Sequence, residues 1–347
     1  MVFLKHIWLH IFKSYLGLGL FFYYKTIKVR NAENIPRDQA VLILSNHQNA
    51  LLDALLIATK SPRFVYFLTR ASVFKKPLVK RFLSTLQMLP VYRVRDGWNN
   101  LPKNAQIFET CSRLLSRKQA VVVFPEGSHN LKRTVRPLSK GFTRIVFKTL
   151  HDHPDLKLQL LPVGLNFQNA TGFKDSVCIN FGTPFLANDY LDANLHKATL
   201  RLKETVQIQI SQLTTHIPTD HYDTVLESLQ QHQVDFLEPE IVNAHIKNGG
   251  VTSPETKGKP HRHVISFVLK QLMIVLLMGP YLVWRCYVQP KIVEREFTGT
   301  FRFAVALTLV PLWILFLGGL VAGFIGWPFG LGFVIMVLLL QILTVKI

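Results

Sequence analysis

The chain has 347 residues, 49% hydrophobic and 18% charged, with a mean hydropathy of +0.22, more apolar than an ordinary soluble domain. Forty Lys and Arg against 21 Asp and Glu give a net charge of +19, which seeks a polyanion, either nucleic acid or an anionic membrane surface. Cys111, Cys178 and Cys286 are far apart with no CxxC spacing, which excludes a zinc ribbon or disulfide framework and points to a reducing, cytosol-facing catalytic part.

The first element is HIWLHIFKSYLGLGLFFYY, His6 to Tyr24, apolar and aromatic with His10 and Lys13 inside it. It ends in Phe-Phe-Tyr-Tyr-Lys, not in the small residues of a secretory cleavage site. Residues 1–27 therefore read as a helix kept at the membrane interface, with a buried core helix as the alternative. From Val29 to Ser211 strand-like and helix-like runs alternate. Strands are expected at Ala40 to Ser45, Arg63 to Phe67, Met88 to Tyr92, Ala120 to Phe124, Leu158 to Phe167 and Ser176 to Gly182. Several are unbroken Val, Ile and Leu runs, as in strands buried on both faces. Helices are expected at Leu51 to Thr59, Pro77 to Thr85, Pro102 to Arg117, Phe142 to Leu150 and Leu186 to Ser211. Residues 28–215 thus form an α/β domain, a mixed, mostly buried sheet covered by helices.

The stretch Pro218 to Pro260 is polar, with Asn-Gly-Gly near its end. It marks a polar helical or linker region over 216–265. Residues 266–347 change character. Ser266 to Trp284, Phe303 to Phe324 and Leu331 to Leu343 are apolar, the last two separated by Gly326, Pro328 and Gly330. At about 20 residues per span this is a membrane region of two or three segments, the last pair a hairpin. Trp284, Trp313 and Trp327 are candidate interface anchors. Lys257, Lys259, His261, Arg262 and His263 precede the first segment. Basic residues there mark the cytoplasmic side and hold anionic headgroups. Lipid, not nucleic acid, is the polyanion this arrangement serves.

Chemistry-bearing residues follow the buried strands. Asn46-His47 comes after the strand ending at Ser45, and Asp53 lies six positions on. On one regular helix six positions turn about 600°, leaving the two side chains about 120° apart. The workable geometry keeps His47 in a turn, with Asn49 capping the helix and Asp53 in its first turn or two. The added length falls at Gln48 and Asn49. Asp53 would then fix the imidazole tautomer and leave the other nitrogen as a base. A second turn, Phe124-Pro125-Glu126-Gly127-Ser128-His129-Asn130, follows another buried strand, with Lys132, Arg133, Arg136 and Lys140 beyond it. A Gly turn followed by cations can hold a phosphate. Arg93 and Arg95 follow a third strand. Pro162 and Gly164 interrupt a fourth, which suggests an edge or bulge near a ligand.

Taken together, His47 to Asp53, Pro90 to Arg93, Phe124 to Asn130 and Leu161 to Gly164 resemble the ordered blocks of the glycerolipid acyltransferases. That family includes the glycerol-3-phosphate and lysophosphatidate acyltransferases. The resemblance runs from Val29 to Gly182. Five residues, not the usual four, separate His47 from Asp53, and Ser128-His129-Asn130 lacks the usual Arg. Both departures resemble the fungal branch of glycerol-3-phosphate acyltransferases, which also carries membrane segments after the catalytic domain.

The resemblance implies the glycerol-phosphate acyltransferase fold. It also implies direct acyl transfer to the hydroxyl of glycerol 3-phosphate from acyl-CoA or acyl-carrier protein, with His47 and Asp53 catalytic. Arg93, Glu126, Gly127 and Ser128 would bind the acceptor, with Arg133 or Lys140 replacing the lost cation. Asn46, Pro162 and Gly164 would line the acyl side. No cofactor and no metal are expected. The pairs His151/His153 and His261/His263 lack acidic or Cys partners at a metal spacing. No Gly-x-Ser-x-Gly elbow is present, and Ser128 beside His129 reads as a turn. The rival readings are acylation of lysophosphatidate, an acceptor without phosphate such as an aminolipid, and a non-catalytic basic membrane-docking protein. Oligomeric state is left open.

Overall fold

The computed structural model describes residues 2–93, 98–248 and 263–347. Arg95 and the basic residues 257–262 lie outside these, as does the side chain of His263. In chain order the elements are α1 (Val2–Tyr23), β1 (Thr26–Arg30), β2 (Ala40–Ser45), α2 (Ala50–Lys60), β3 (Val65–Arg70), α3 (Pro77–Thr85), β4 (Met88–Val91), α4 (Asn104–Ser116), β5 (Ala120–Val123) and α5 (Gly141–Asp152). Then come β6 (Leu158–Phe167), β7 (Ser176–Phe181), β8 (Phe185–Leu186), α6 (Leu195–Leu213), α7 (Tyr222–Gln231), α8 (Pro239–Lys247), α9 (His263–Leu276), α10 (Met278–Leu282), α11 (Phe297–Ile325) and α12 (Trp327–Lys346).

The eight strands form one sheet in the order β1-β7-β6-β2-β5-β3-β4, with β8 pairing β6. Pairings are parallel except β6 with β7 and β6 with β8. Alternation along β2 explains its unbroken apolar run. Val41 and Ile43 enter one core with residues of α1, α2 and Phe303 of α11. Leu42 and Leu44 enter a second core with residues of α4, α5 and α6. Both faces are covered, so neither tolerates a polar residue.

Several expectations change. The edge strand β1, TIKVR, pairs with β7 and was not foreseen. Helix α6 begins at Leu195, not Leu186, where the Asn194 side chain accepts the His196 and Lys197 N–H groups. Part of the expected linker is folded. Helices α7 and α8 close a small core of Ile217, Tyr222, Leu229, Val234, Phe236 and Val242. Tyr222, Val225, Leu226 and Leu229 supply it at helical spacing, and Pro239 stands in the first turn of α8 rather than breaking it.

Helix α1 has one apolar face in the core and another exposed. Leu9, Leu16, Leu20 and Tyr23 are buried, while Phe3, Leu4, Ile11 and Leu18 are exposed. At the other end α11 and α12 are long and apolar enough to cross a membrane, and α9 with the helix beginning at Met278 forms a pair bent by 94°. Gly326, at φ 125°, turns the chain between α11 and α12. Small residues let this hairpin close, since a Cβ on Gly330 would lie 2.6 Å from Cβ of Ala322. Trp327 is exposed, but Trp284 is buried and Trp313 donates to the Leu276 carbonyl at 3.0 Å. The last two are packing residues rather than interface anchors.

Candidate active site

Parallel pairing brings together what the sequence separates. Leu44 of β2 is opposite Val123 of β5, so the turns after both strands emerge at one end of the sheet. His47 lies in the first and Glu126 in the second. The strand ends of an α/β sheet are where such loops can converge on a ligand.

In the first turn His47 Nδ1 lies 2.7 Å from Asp53 Oδ2. Asp53 is fully buried in the first turn of α2, and His47 stays outside the helix. The same Asp53 oxygen accepts the Asn49 N–H at 2.8 Å, so the carboxylate caps the helix as well as holding the ring. The Asn49 side chain does not cap. It donates instead to the Ala170 carbonyl at 2.8 Å. Gln48 and Asn49 form the bend, but the left-handed residue that absorbs the extra length is Ala50, at φ 42°. A non-glycine residue there is strained and persists only when its surroundings hold it. A ring whose Nδ1–H donates to a carboxylate carries its lone pair on Nε2. Nε2 of His47 makes no hydrogen bond among the described residues.

The second turn packs on the first. Phe124 stacks on the His47 ring at 4.1 Å with planes 13° apart. Glu126 accepts the His47 N–H at 3.3 Å, and His47 in turn accepts the Asn130 N–H at 3.0 Å. The Glu126 side chain is only 3% exposed and also accepts from Arg136 Nε at 2.7 Å. Burial pushes its carboxyl above the ordinary range, opposed by the Arg136 guanidinium. Glu126 therefore ties the two turns together and aims Arg136. Arg136 also donates to the Ser128 hydroxyl at 2.8 Å and to the Ser128 carbonyl. Gly127 is exposed at φ 74°, which requires glycine at this turn. Arg93 donates to the Gly127 carbonyl at 3.3 Å. His129 meets the His47 ring edge-on at 5.6 Å, and burial lowers its pKa below the ordinary value.

Five expected site residues have other roles. Arg133 is turned away: it donates to the Phe167 and Gln168 carbonyls at 2.8 and 3.0 Å and stacks on Phe236 at 3.6 Å. Burial lowers its pKa to about 10. Lys140 is exposed at the N-cap of α5. Arg136, one of the four cations after the turn, is the one that reaches it. Asn46 bridges to β6, donating to the Leu165 carbonyl and accepting its N–H. Pro162 is buried in an interior strand, not at an edge. A Cβ on Gly164 would lie 2.2 Å from the Leu213 carbonyl oxygen, so Gly164 seats the end of α6.

Two further features border the site. A cavity of about 650 Å³ reaches Gln48 and is lined also by Arg133, Gln168, Tyr222 and Phe236, but not by His47. His129, Glu294 and Glu296 place one donor atom each within 4.8 Å of one another, a grouping that the His-x-His pairs did not suggest.

Residues 26–166 match the family model described as Acyltransferase. That span holds both turns and covers less than half of the chain. Among curated relatives, an uncharacterized acyltransferase of Schizosaccharomyces pombe is 26% identical over 153 residues, 41% of this chain and 22% of that protein. Glycerol-3-phosphate O-acyltransferase 1 of Saccharomyces cerevisiae is 23% identical over 118 residues, 32% of this chain and 15% of its own length. The chloroplastic 1-acyl-sn-glycerol-3-phosphate acyltransferase BAT2 of Brassica napus is 26% identical over 141 residues, 40% of this chain and 38% of its own. The matched stretch thus spans well under half of each relative.

Proposed function

We propose that this chain is a membrane-bound acyltransferase that moves a fatty acyl group from acyl-CoA or acyl-carrier protein to a hydroxyl of glycerol 3-phosphate. The observation that carries the reading is the 2.7 Å contact of His47 Nδ1 with buried Asp53, set beside a turn that holds Arg93 and Arg136. Nε2 of His47 takes the proton from the glycerol hydroxyl as its oxygen attacks the thioester carbonyl. Asp53 stabilises the imidazolium that forms. The carbon–sulfur bond then breaks, and the departing thiolate takes the proton from His47. General base catalysis supplies roughly 10²- to 10⁴-fold of the acceleration; positioning and oxyanion donors supply the rest. The reaction written this way uses no further cofactor.

Arg93 and Arg136 flank Gly127 and Ser128 and supply the positive charge for the acceptor phosphate. A second reading, acylation of lysophosphatidate, is favoured by the similarity to the Brassica napus protein and by the exposed apolar faces of α1 and α11. A lipid acceptor would approach the site along those faces. Purified protein given labelled acyl-CoA and both acceptors together separates the readings. Labelled lysophosphatidate as product supports the first, and label only in phosphatidate overturns it.

The basic residues that precede α9 in the sequence support a cytoplasmic side for the catalytic domain. An epitope in the α5–β6 connection should be stained in cells permeabilised only at the plasma membrane. Staining that needs full permeabilisation contradicts this orientation.

A further inference from the structure

The chain leading into α11 touches both catalytic turns. Glu294 Oε2 lies 2.9 Å from Nε2 of His129, and Phe297 meets the same ring edge-on at 4.7 Å. A little further on, α11 reaches the His47 turn. Gly299 lies so close to Asn49 that a Cβ would come within 2.7 Å of Asn49 Oδ1 and 3.0 Å of Leu52 Cδ1. Thr300, 9% exposed, accepts the Leu51 N–H on Oγ1 at 3.2 Å. The Tyr23 hydroxyl of α1 donates to the Gly299 carbonyl at 3.2 Å.

These contacts answer a specific need. The first N–H groups of a helix have no partner within it. At the start of α2 the Asn49 N–H is satisfied by Asp53 and the Leu51 N–H by Thr300. Between them lies Ala50, held in a left-handed conformation. That conformation lets Asp53 face His47 across five intervening residues. It lasts only while its neighbours fix it: from α11, Thr300 holds Leu51 and Gly299 packs against Asn49.

We propose that Gly299 and Thr300 are positioning residues of the acyl transfer: α11 holds the turn at Ala50, and the His47–Asp53 pair is aligned only when this membrane helix is seated. The inference rests on reading that pair as the general base. It makes the apolar C-terminal region part of the catalytic device and not only an anchor. The family-matched span 26–166 ends well before these residues.

The test uses the full chain in lipid nanodiscs, labelled with ¹⁵N-histidine. The imidazole Nδ1–H resonance of His47, assigned by its loss in His47→Gln, reports the contact with Asp53 without any need for turnover. Thr300→Val keeps the shape and removes the acceptor; Thr300→Ser keeps the acceptor. The resonance should be lost in Thr300→Val and in Gly299→Ala and retained in Thr300→Ser. In parallel, kcat should fall about tenfold in Thr300→Val, with KM for both substrates within about twofold, and recover in Thr300→Ser. An unchanged resonance and kcat in Thr300→Val overturn the proposal. If Thr300→Val does not fold, Gly299→Ala decides by the same readings. Should the wild type transfer no acyl group to any acceptor, the functional reading fails, while the resonance still judges the positioning role.

Discussion

The sheet and the C-terminal hairpin share an apolar vocabulary and use it in opposite ways. In β2, β5 and β6 the Val, Ile and Leu side chains are almost wholly buried between two helical layers. In the most apolar windows of α11 and α12 only 17% and 22% is buried. An unbroken apolar run therefore does not reveal its own solvent. Length decides: four to ten residues make a buried strand, and 20 or more make a helix whose surface calls for lipid. The two regions meet at Gly299 and Thr300, where the turn that carries His47 and Asp53 rests on α11.

The comparison can be broken most severely at the point of contact. Asp53→Asn should lower kcat by about 10³- to 10⁴-fold, because the ring loses its tautomer control, while membrane insertion is unchanged. Steady-state kinetics on nanodisc-reconstituted protein measures this, and a loss below tenfold contradicts it. Next in size is the contrast between two leucines. Leu42→Ala in the sheet should destabilise the α/β domain by about 2–5 kcal/mol. Leu312→Ala on the exposed face of α11 should change it by less than about 0.5 kcal/mol. Urea unfolding followed by a probe in the α/β domain compares them, and equal losses would erase the distinction between the regions.

A third test is acid dependence. Burial raises the Asp175 carboxyl to about 6 from an ordinary value near 3.8. A raised carboxyl binds its proton more tightly in the folded state, so stability is greatest below about 3.8 and is lost as pH rises towards 6. The upper limit is about 3 kcal/mol. Relative to the wild type, Asp175→Asn should flatten the melting temperature between pH 4 and about pH 6; parallel curves would reject this. The smallest effect concerns the phosphate contact. Arg136→Ala should raise KM for the phosphorylated acceptor about tenfold and leave KM for the acyl donor unchanged. Arg133→Ala should leave both unchanged. The reverse pattern would restore Arg133 as the binding cation.

Much of this was legible in the sequence because it depends on local pattern. The buried strands announce themselves as Val-rich runs, and the spacing of His47 and Asp53 already required a turn outside the helix. Strand β1 escaped because TIKVR is short and half exposed, and its partner Ser176–Phe181 lies about 150 positions away. Helix α7 was readable from Tyr222, Val225, Leu226 and Leu229, but the surrounding polar residues hid the period. No periodicity tells which of Lys132, Arg133, Arg136 and Lys140 turns inward; the loop path decides it, drawing Arg136 to buried Glu126. Pro162 misled for a related reason. It sits inside the sheet all the same, with its carbonyl accepting the Gly182 N–H. Thr300 was invisible because its role depends on a helix start 249 residues earlier.

In the proposed reaction His47, held by Asp53, is the base of an acyl transfer to a glycerolipid acceptor. Its most direct test is initial-rate transfer of labelled acyl-CoA to glycerol 3-phosphate by wild-type and His47→Ala protein, both in nanodiscs. The wild type should form labelled lysophosphatidate, and His47→Ala should form it about 10²- to 10⁴-fold more slowly. A His47→Ala protein as fast as the wild type would contradict the account.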